Sequence, residues 1–198
     1  MRGRPSHVPI SKESILMRLN KSAILFVGVV IAASMTTGPA TASADVPGDV
    51  LRIVEVGTDA MGADSYANRN REFVKFQNVS DGPIDVANVL VEDNWAHAKT
   101  VKGDAHTCNT YKIVDLPDNG TTVIAKGEYV TVFNGSRLGG DRKINGSEYQ
   151  LFADSDTDCG TAGQFFNNNN DTAWVTKANG DVLSSYSWDH NGGYVFKP

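Results

Sequence analysis

The chain has 198 residues, of which 40% are hydrophobic, and this composition excludes wholesale disorder. Residues 1–44 have the features of an export leader. Without them, 13 of the 18 basic and 22 of the 23 acidic residues remain, a net charge of −9. That charge argues against nucleic acid and anionic membranes as partners, since both are bound through clustered Lys and Arg.

The first 44 residues contain the three parts of a secretory signal peptide. A polar, basic stretch, in which Met17 is a second candidate start, precedes the apolar run of residues 23–33. That run is shorter than the roughly 20 residues that span a bilayer. Ala42-Ser43-Ala44 then offers the small residues that signal peptidase needs. We therefore predict cleavage after Ala44 and secretion of residues 45–198 as one domain. The alternative is an uncleaved membrane anchor.

Short strand signals follow one another along the secreted part. Residues rich in β-branched and aromatic side chains predict strands at 50–56, 72–79, 86–92, 111–116, 121–125, 129–133, 149–152, 172–177 and 182–188. Turn signals such as Asp81-Gly82-Pro83 and Asn179-Gly180 separate them. No window shows a sustained helical period with caps. Seven to nine strands of this kind predict an all-β, antiparallel β-sandwich.

Long polar segments interrupt these strands at residues 58–71, 94–109, 135–147 and 153–170. Loops of that length in a compact domain are typically functional or mobile. They are therefore the first places to look for binding residues.

Two cysteines, Cys108 and Cys159, lie in the second and fourth of these segments. An even number of cysteines in an exported protein predicts a disulfide, and a loop of about 50 residues closed in this way gains roughly 4 kcal/mol. A catalytic thiol or metal ligation is the alternative. The wide spacing is unlike that of a zinc site, and oxidising surroundings disfavour a free thiol.

Several motifs occur in an order that carries a resemblance. They are Ile53-Val54-Glu55-Val56, Glu72-Phe73-Val74 followed by Phe76 and Asn78, the stretch 85–93 with Asp85 and Asp93 at its ends, Ala125-Lys126-Gly127-Glu128-Tyr129-Val130, and Phe166-Asn167-Asn168 before Asp171-Thr172. Together they resemble the lamin tail domain, an immunoglobulin-like sandwich found at the end of nuclear lamins and in many exported bacterial proteins. The departures are Asn88 and Asn170 in place of Gly, Val89 in place of Trp, Lys126 in place of Pro and Ala173 in place of Val.

The resemblance covers about residues 50–188 and implies a stand-alone extracellular domain of bacterial type. The family is mostly a binding or architectural module without catalysis. It implies no particular ligand, because a fold does not by itself decide function.

Asp154, Asp156 and Asp158 place three carboxylates at alternate positions of the fourth polar segment. Oxygen ligands at this spacing suit Ca²⁺, so the segment is a candidate calcium site. The loop does not match an EF-hand, since Cys159 stands where Gly is required and Phe165 where the bidentate Glu is required. A solvated acidic loop is the alternative. No other cofactor is expected.

Histidines and glutamates supply the other candidates for chemistry. His97 and His106, with Asp93 and Asp104, form a candidate metal site within one segment, although loop histidines are commonly solvated. Two of the three glutamates Glu55, Glu72 and Glu92 could form the carboxylate pair of a glycosidase. Acidic residues on strands more often face solvent or pair with Lys and Arg, and this is our expectation for all three.

Three tryptophans remain as candidate ligand-stacking residues. Trp174 and Trp188 lie on predicted strands, where a core or half-core role is expected. Trp95 opens the second polar segment and is the better candidate for an exposed binding residue, with packing as its alternative.

The sequence therefore predicts a secreted, disulfide-linked binding domain for an extracellular protein or a cell-surface polysaccharide. An extracellular hydrolase with carboxylate or metal chemistry is the alternative. A purely architectural role through self-association is the third.

Overall fold

The computed structural model describes residues 50–58, 65–154, 159, 164–166, 170–189, 195–196 and 198. Within these residues the strands are β1 Leu51–Gly57, β2 Phe73–Asn78, β3 Ile84–Asp85, β4 Leu90–Glu92, β5 Thr110–Lys112, β6 Val123–Ile124, β7 Tyr129–Phe133, β8 Arg142–Ile144, β9 Glu148–Phe152, β10 Asp171–Thr176, β11 Val182–Trp188 and β12 Val195–Phe196. One α-helix, α1, spans Asn94–Lys102, and a 3₁₀ helix spans Tyr66–Arg71.

The strands form a large sheet in the order β12-β1-β2-β7-β9-β8 and a small sheet in the order β11-β10-β4-β5. β3 and β6 pair with each other as a separate ribbon. Neighbouring strands are antiparallel except β7 and β9, which run parallel with Val130 opposite Tyr149. The predicted all-β sandwich is confirmed, with this one parallel pair as a difference among the described strands.

The core lies between the inner faces of the sheets. In β2, Val74 and Phe76 are buried while Lys75 and Gln77 are half-buried, as expected where one face of a strand is covered. In β7, Val130 and Val132 turn inward and join the core. Val91, Val175 and Trp188 contribute from the small sheet.

The helix α1 occupies residues that the polar sequence of 94–109 had predicted to be a loop. Asp93 caps its first turn by accepting a hydrogen bond from the Ala96 N–H, and Gly103 ends it in the left-handed region with φ of 73°. The helix has only nine residues, and Ala96 is its one buried residue. A period of apolar residues therefore could not reveal it, although both capping residues are visible in the sequence.

α1 covers the outer face of the small sheet. Val91 in β4 and Val175 in β10 face the core. Because side chains alternate along a strand, their neighbours Glu92 and Trp174 face the opposite way, toward the helix. In the part of the chain that the structure describes, no helix has the length and apolarity needed to cross a membrane.

Candidate functional site

A fully buried carboxylate, Glu92, lies beneath α1. It accepts hydrogen bonds from the Thr100 hydroxyl, at Oε1, and from the Thr176 hydroxyl, at Oε2 over 3.1 Å. His97 Nδ1 lies 3.5 Å from Oε2, and His106 Nε2 lies 3.5 Å from Oε1. We call these five residues the Glu92 cluster. The expectation that Glu92 faces solvent was wrong, because α1 folds back over the strand that carries it.

Aromatic rings flank the Glu92 cluster on both sides. The His97 imidazole stacks on Trp174, with ring centres 4.2 Å apart. Trp174 Nε1 in turn donates to Asn94 Oδ1 at 2.9 Å, which ties the first turn of α1 to β10. His106 meets the ring of Trp95 edge to face at 5.9 Å. The helix is therefore held to β10 through two of its own residues, Asn94 and His97, which both contact Trp174.

Trp95 is the exposed aromatic residue of this region, with 49% of its surface open to solvent. The Lys99 ammonium lies 5.8 Å from the centre of its ring, one turn further along α1. Trp174 is half-buried and Trp188 is buried in the core. The expectations for the three tryptophans therefore agree with their exposure, although Trp95 lies on a helix rather than in a loop.

Asp93 anchors the start of α1 and is itself buried. Its carboxylate accepts from the Ala96 N–H at 2.7 Å and from Asn109 Nδ2 at 2.6 Å. Burial raises the pKa of Asp93 from 3.8 to about 6, and the negative charge of the nearby Asp171 raises it further. The two hydrogen bonds that Asp93 accepts partly oppose this rise in pKa. Asp171 accepts from the Asn94 N–H at 3.1 Å, so two carboxylates hold one helix end.

The predicted disulfide between Cys108 and Cys159 is present, with its sulfur atoms 2.04 Å apart. Cys108 precedes Asn109, the side chain that donates to Asp93. The disulfide therefore holds the segment that follows α1, and with it the hydrogen bond at the start of the helix.

Glu72, the second buried glutamate, has a separate set of partners. Its Oε2 accepts from Asn134 Nδ2 and from the Phe165 N–H, each at 2.8 Å. Glu72 precedes β2 of the large sheet, whereas Glu92 ends β4 of the small one. The burial of Glu72 contradicts the expectation that it faces solvent. Its burial supports a structural role, because it fixes residues 164–166 against the large sheet.

The candidate calcium site lies only partly within the described residues. Asp156 and Asp158 lie outside the described residues, and the exposed Asp154 places Oδ1 3.5 Å from the Arg69 guanidinium. The calcium site therefore stays a prediction.

His97 and His106 face Glu92, while the Asp104 carboxylate pairs with Lys99 at 3.3 Å. Among the residues described, no three His, Cys, Asp or Glu side chains are grouped so as to hold a metal ion. His97 and His106 thus lie against Glu92, and a metal site at His97, His106, Asp93 and Asp104 stays a prediction.

Replacing Asp93 by Asn is expected to stabilise the fold at pH 7 by roughly 2 kcal/mol. The folded pKa lies above the unfolded one, so between pH 4 and 6 the folded state holds a proton that the unfolded chain has released. This contribution to stability is gained as pH falls and lost as pH rises through 6. An Asn side chain at position 93 keeps the oxygen that caps the helix. Its amide group can donate to the side-chain oxygen of Asn109, which is buried without a hydrogen-bond partner among the described residues.

Urea unfolding of the wild type and of Asp93→Asn from pH 4 to 7 measures this difference in stability. The difference between them should be largest at pH 7 and shrink toward pH 4. Asp118→Asn is the control, because Asp118 is exposed and its φ of 59° suits Asn equally well. A loss of stability in Asp93→Asn at pH 7 would show that the buried carboxylate is a net stabiliser.

Comparisons with known proteins identify no family for this chain. It matches no protein-family model, and no curated protein matches it either. Its function has to be inferred from its own residues and their geometry.

Proposed function

We propose that the chain is a secreted, non-enzymatic binding domain of lamin-tail type that attaches to a protein or polysaccharide at or near the cell surface. The confirmed all-β sandwich supports this proposal, as do the disulfide and the order of motifs from residue 53 to 172. The leader of residues 1–44 supports export. The finer assignment to an immunoglobulin-like, lamin-tail topology is part of the proposal.

The observation that carries the proposal is an exposed indole on a firmly anchored helix. Trp95 lies in the first turn of α1, between the cap of Asp93 and the contacts that Asn94 and His97 make with Trp174. Its own ring touches His106. An aromatic side chain held in this way loses little conformational entropy when a ligand covers it. Its flat, apolar face suits a sugar ring or an apolar patch on a protein.

Trp95→Ala is expected to weaken retention on the cell surface about tenfold or more, as for the central aromatic residue of an interface. The mature protein, residues 45–198, is sedimented with whole producer cells and with isolated cell wall. Thermal melting of the same preparations checks that the variant is folded. Parallel samples with Ca²⁺ or with EDTA test whether Asp154, Asp156 and Asp158 take part.

Val114→Ala is the matched control, because Val114 is an exposed apolar residue between β5 and β6. Its retention should equal that of the wild type. Equal retention of Trp95→Ala and wild type would remove Trp95 from the interface, and no retention of the wild type would overturn the proposal. Light scattering after size exclusion tests the architectural alternative, in which the partner is a second copy of the chain.

One observation favours a second candidate function, an extracellular hydrolase. Glu92 lies between two imidazoles, the pairing of acid and base that proton-transfer catalysis uses. Glu92 itself has no exposed surface, so a substrate would meet the half-buried rings of His97 and His106. Turnover of cell-wall polysaccharide or peptide by the wild type, abolished in Glu92→Gln, would establish this function. Absence of turnover in the wild type would exclude it for those substrates.

A further inference from the structure

A groove of about 260 Å³ opens at the end of β4 opposite Glu92. Val89, directly before β4, lies in its wall together with the start of β1, the ribbon strand β3 and the turn between β10 and β11. We call it the hairpin groove. It shares no lining residue with the Glu92 cluster, so any ligand it takes is independent of the function proposed for Trp95.

Most of the described residues that line the hairpin groove are aliphatic. Among them Leu51 and Val89 are buried, and Ile84 and Leu183 are half-buried. None of the described lining residues is aromatic, so this lining offers no face on which a planar ring would stack. Its volume lies just below the usual range for pockets that take drug-sized ligands. A single flexible hydrocarbon chain fits both its size and its lining.

Among the described residues that line the groove, Lys177 is the cationic one. Lys177 follows β10, and its backbone N–H donates to the Asp181 carbonyl at 2.9 Å, which fixes the turn. Its side chain is exposed and lines the groove, and it forms no ion pair with any described residue. An ammonium beside an apolar surface favours a ligand that joins an anionic group to an apolar body.

The acidic side chain of the groove, Asp85, is already engaged. Its Oδ1 accepts from the Ala87 N–H at 2.9 Å and from the Thr122 hydroxyl, and these bonds lower the pKa of Asp85. Asp85 therefore stays ionised and serves its own turn. Among the described lining residues, Lys177 is the one whose charged group no hydrogen bond or ion pair engages.

We propose that the hairpin groove binds a medium-chain aliphatic carboxylate, with the chain against Leu51, Val89 and Leu183 and the carboxylate at the Lys177 ammonium. Burial of the ligand's hydrocarbon chain supplies most of the affinity, at about 0.8 kcal/mol for each buried methylene. The charge pair at the rim sets which head group is preferred.

Three probes of equal chain length test the proposal: octanoate, octanol and octylammonium, each titrated calorimetrically into the mature protein. Octanoate should bind most tightly. Lys177→Glu should reverse the order, so that octylammonium binds about tenfold more tightly than octanoate. Arg137→Glu is the control, because it reverses an exposed charge outside the groove and should leave the order unchanged.

Leu183→Ala tests where the hydrocarbon chain of the probe lies, and it should weaken the binding of all three probes by a similar factor. Melting curves confirm that each variant is folded, and Lys177→Gln, which should abolish the preference without reversing it, is the milder second variant. Equal binding of the three probes by the wild type would overturn the role of Lys177. No binding of octanoate, or binding unchanged by both Lys177→Glu and Leu183→Ala, would overturn the site.

Discussion

Replacing both Cys108 and Cys159 by Ala is expected to lower the free energy of unfolding by about 4 kcal/mol. The two residues are 51 positions apart, so their bond removes a large part of the freedom of the unfolded chain. Both lie within the long polar segments, Cys108 after α1 and Cys159 before residues 164–166. Urea unfolding at pH 7, analysed by linear extrapolation, measures the loss.

Reduced wild-type protein is the matched control, because it loses the same bond without any change of sequence. The reduced protein and the double variant should unfold at similar urea concentrations, both well below the oxidised wild type. A loss under about 1 kcal/mol in both would mean that the folded segments around the disulfide hold each other without it. A loss in the variant alone would assign the effect to packing around Cys159, which is buried.

Glu92→Ala is expected to cost about 3 kcal/mol of stability. The change removes the acceptor of two hydroxyl groups, those of Thr100 and Thr176, and leaves a cavity beneath α1. It also removes the partner toward which His97 and His106 turn their nitrogens. Unpaired buried donors and an unfilled space both destabilise, so the effects add. Guanidinium unfolding at pH 7 provides the measurement.

Glu55→Ala is the control for this second change. Glu55 also lies on a strand, β1, but is half-buried, and its replacement should cost less than about 1 kcal/mol. Glu92→Gln keeps the shape and one acceptor oxygen and should fall between the two. Equal losses for Glu92→Ala and Glu55→Ala would show that the Glu92 cluster contributes no stability of its own.

The stability of the Glu92 cluster bears on the proposed binding residue as well. Trp95 has no strand to hold it and depends on α1, which itself buries only Ala96. Polar contacts through Asp93, Asn94, His97 and Thr100 therefore replace the apolar face that usually attaches a helix to a sheet. A helix attached in this way responds to pH and to single polar substitutions more than one attached by an apolar face.

Local sequence was sufficient to locate most of the sandwich. The strands at residues 51–57, 73–78, 129–133, 171–176 and 182–188 agree with predictions made from β-branched and aromatic runs and their turns. Predictions for the short strands were less complete, since β4 occupies only the end of the stretch predicted at 86–92 and β8 lies in a segment expected to be a loop. Asn88, with φ of 61°, ends the turn before β4 and explains the late start of that strand.

The sequence by itself determined the class of fold, because strand runs and turn residues depend on neighbouring residues. It favoured the Cys108–Cys159 pair and the exposure of Trp95 over their alternatives. Only the tertiary structure decided that Glu92 and Glu72 are buried, that β7 and β9 run parallel, and that two histidines meet one carboxylate. Those features require α1 to fold back over β4 and loops to return to the sheets. The direction of such a return is set by the packing of distant segments, which no local pattern of residues records.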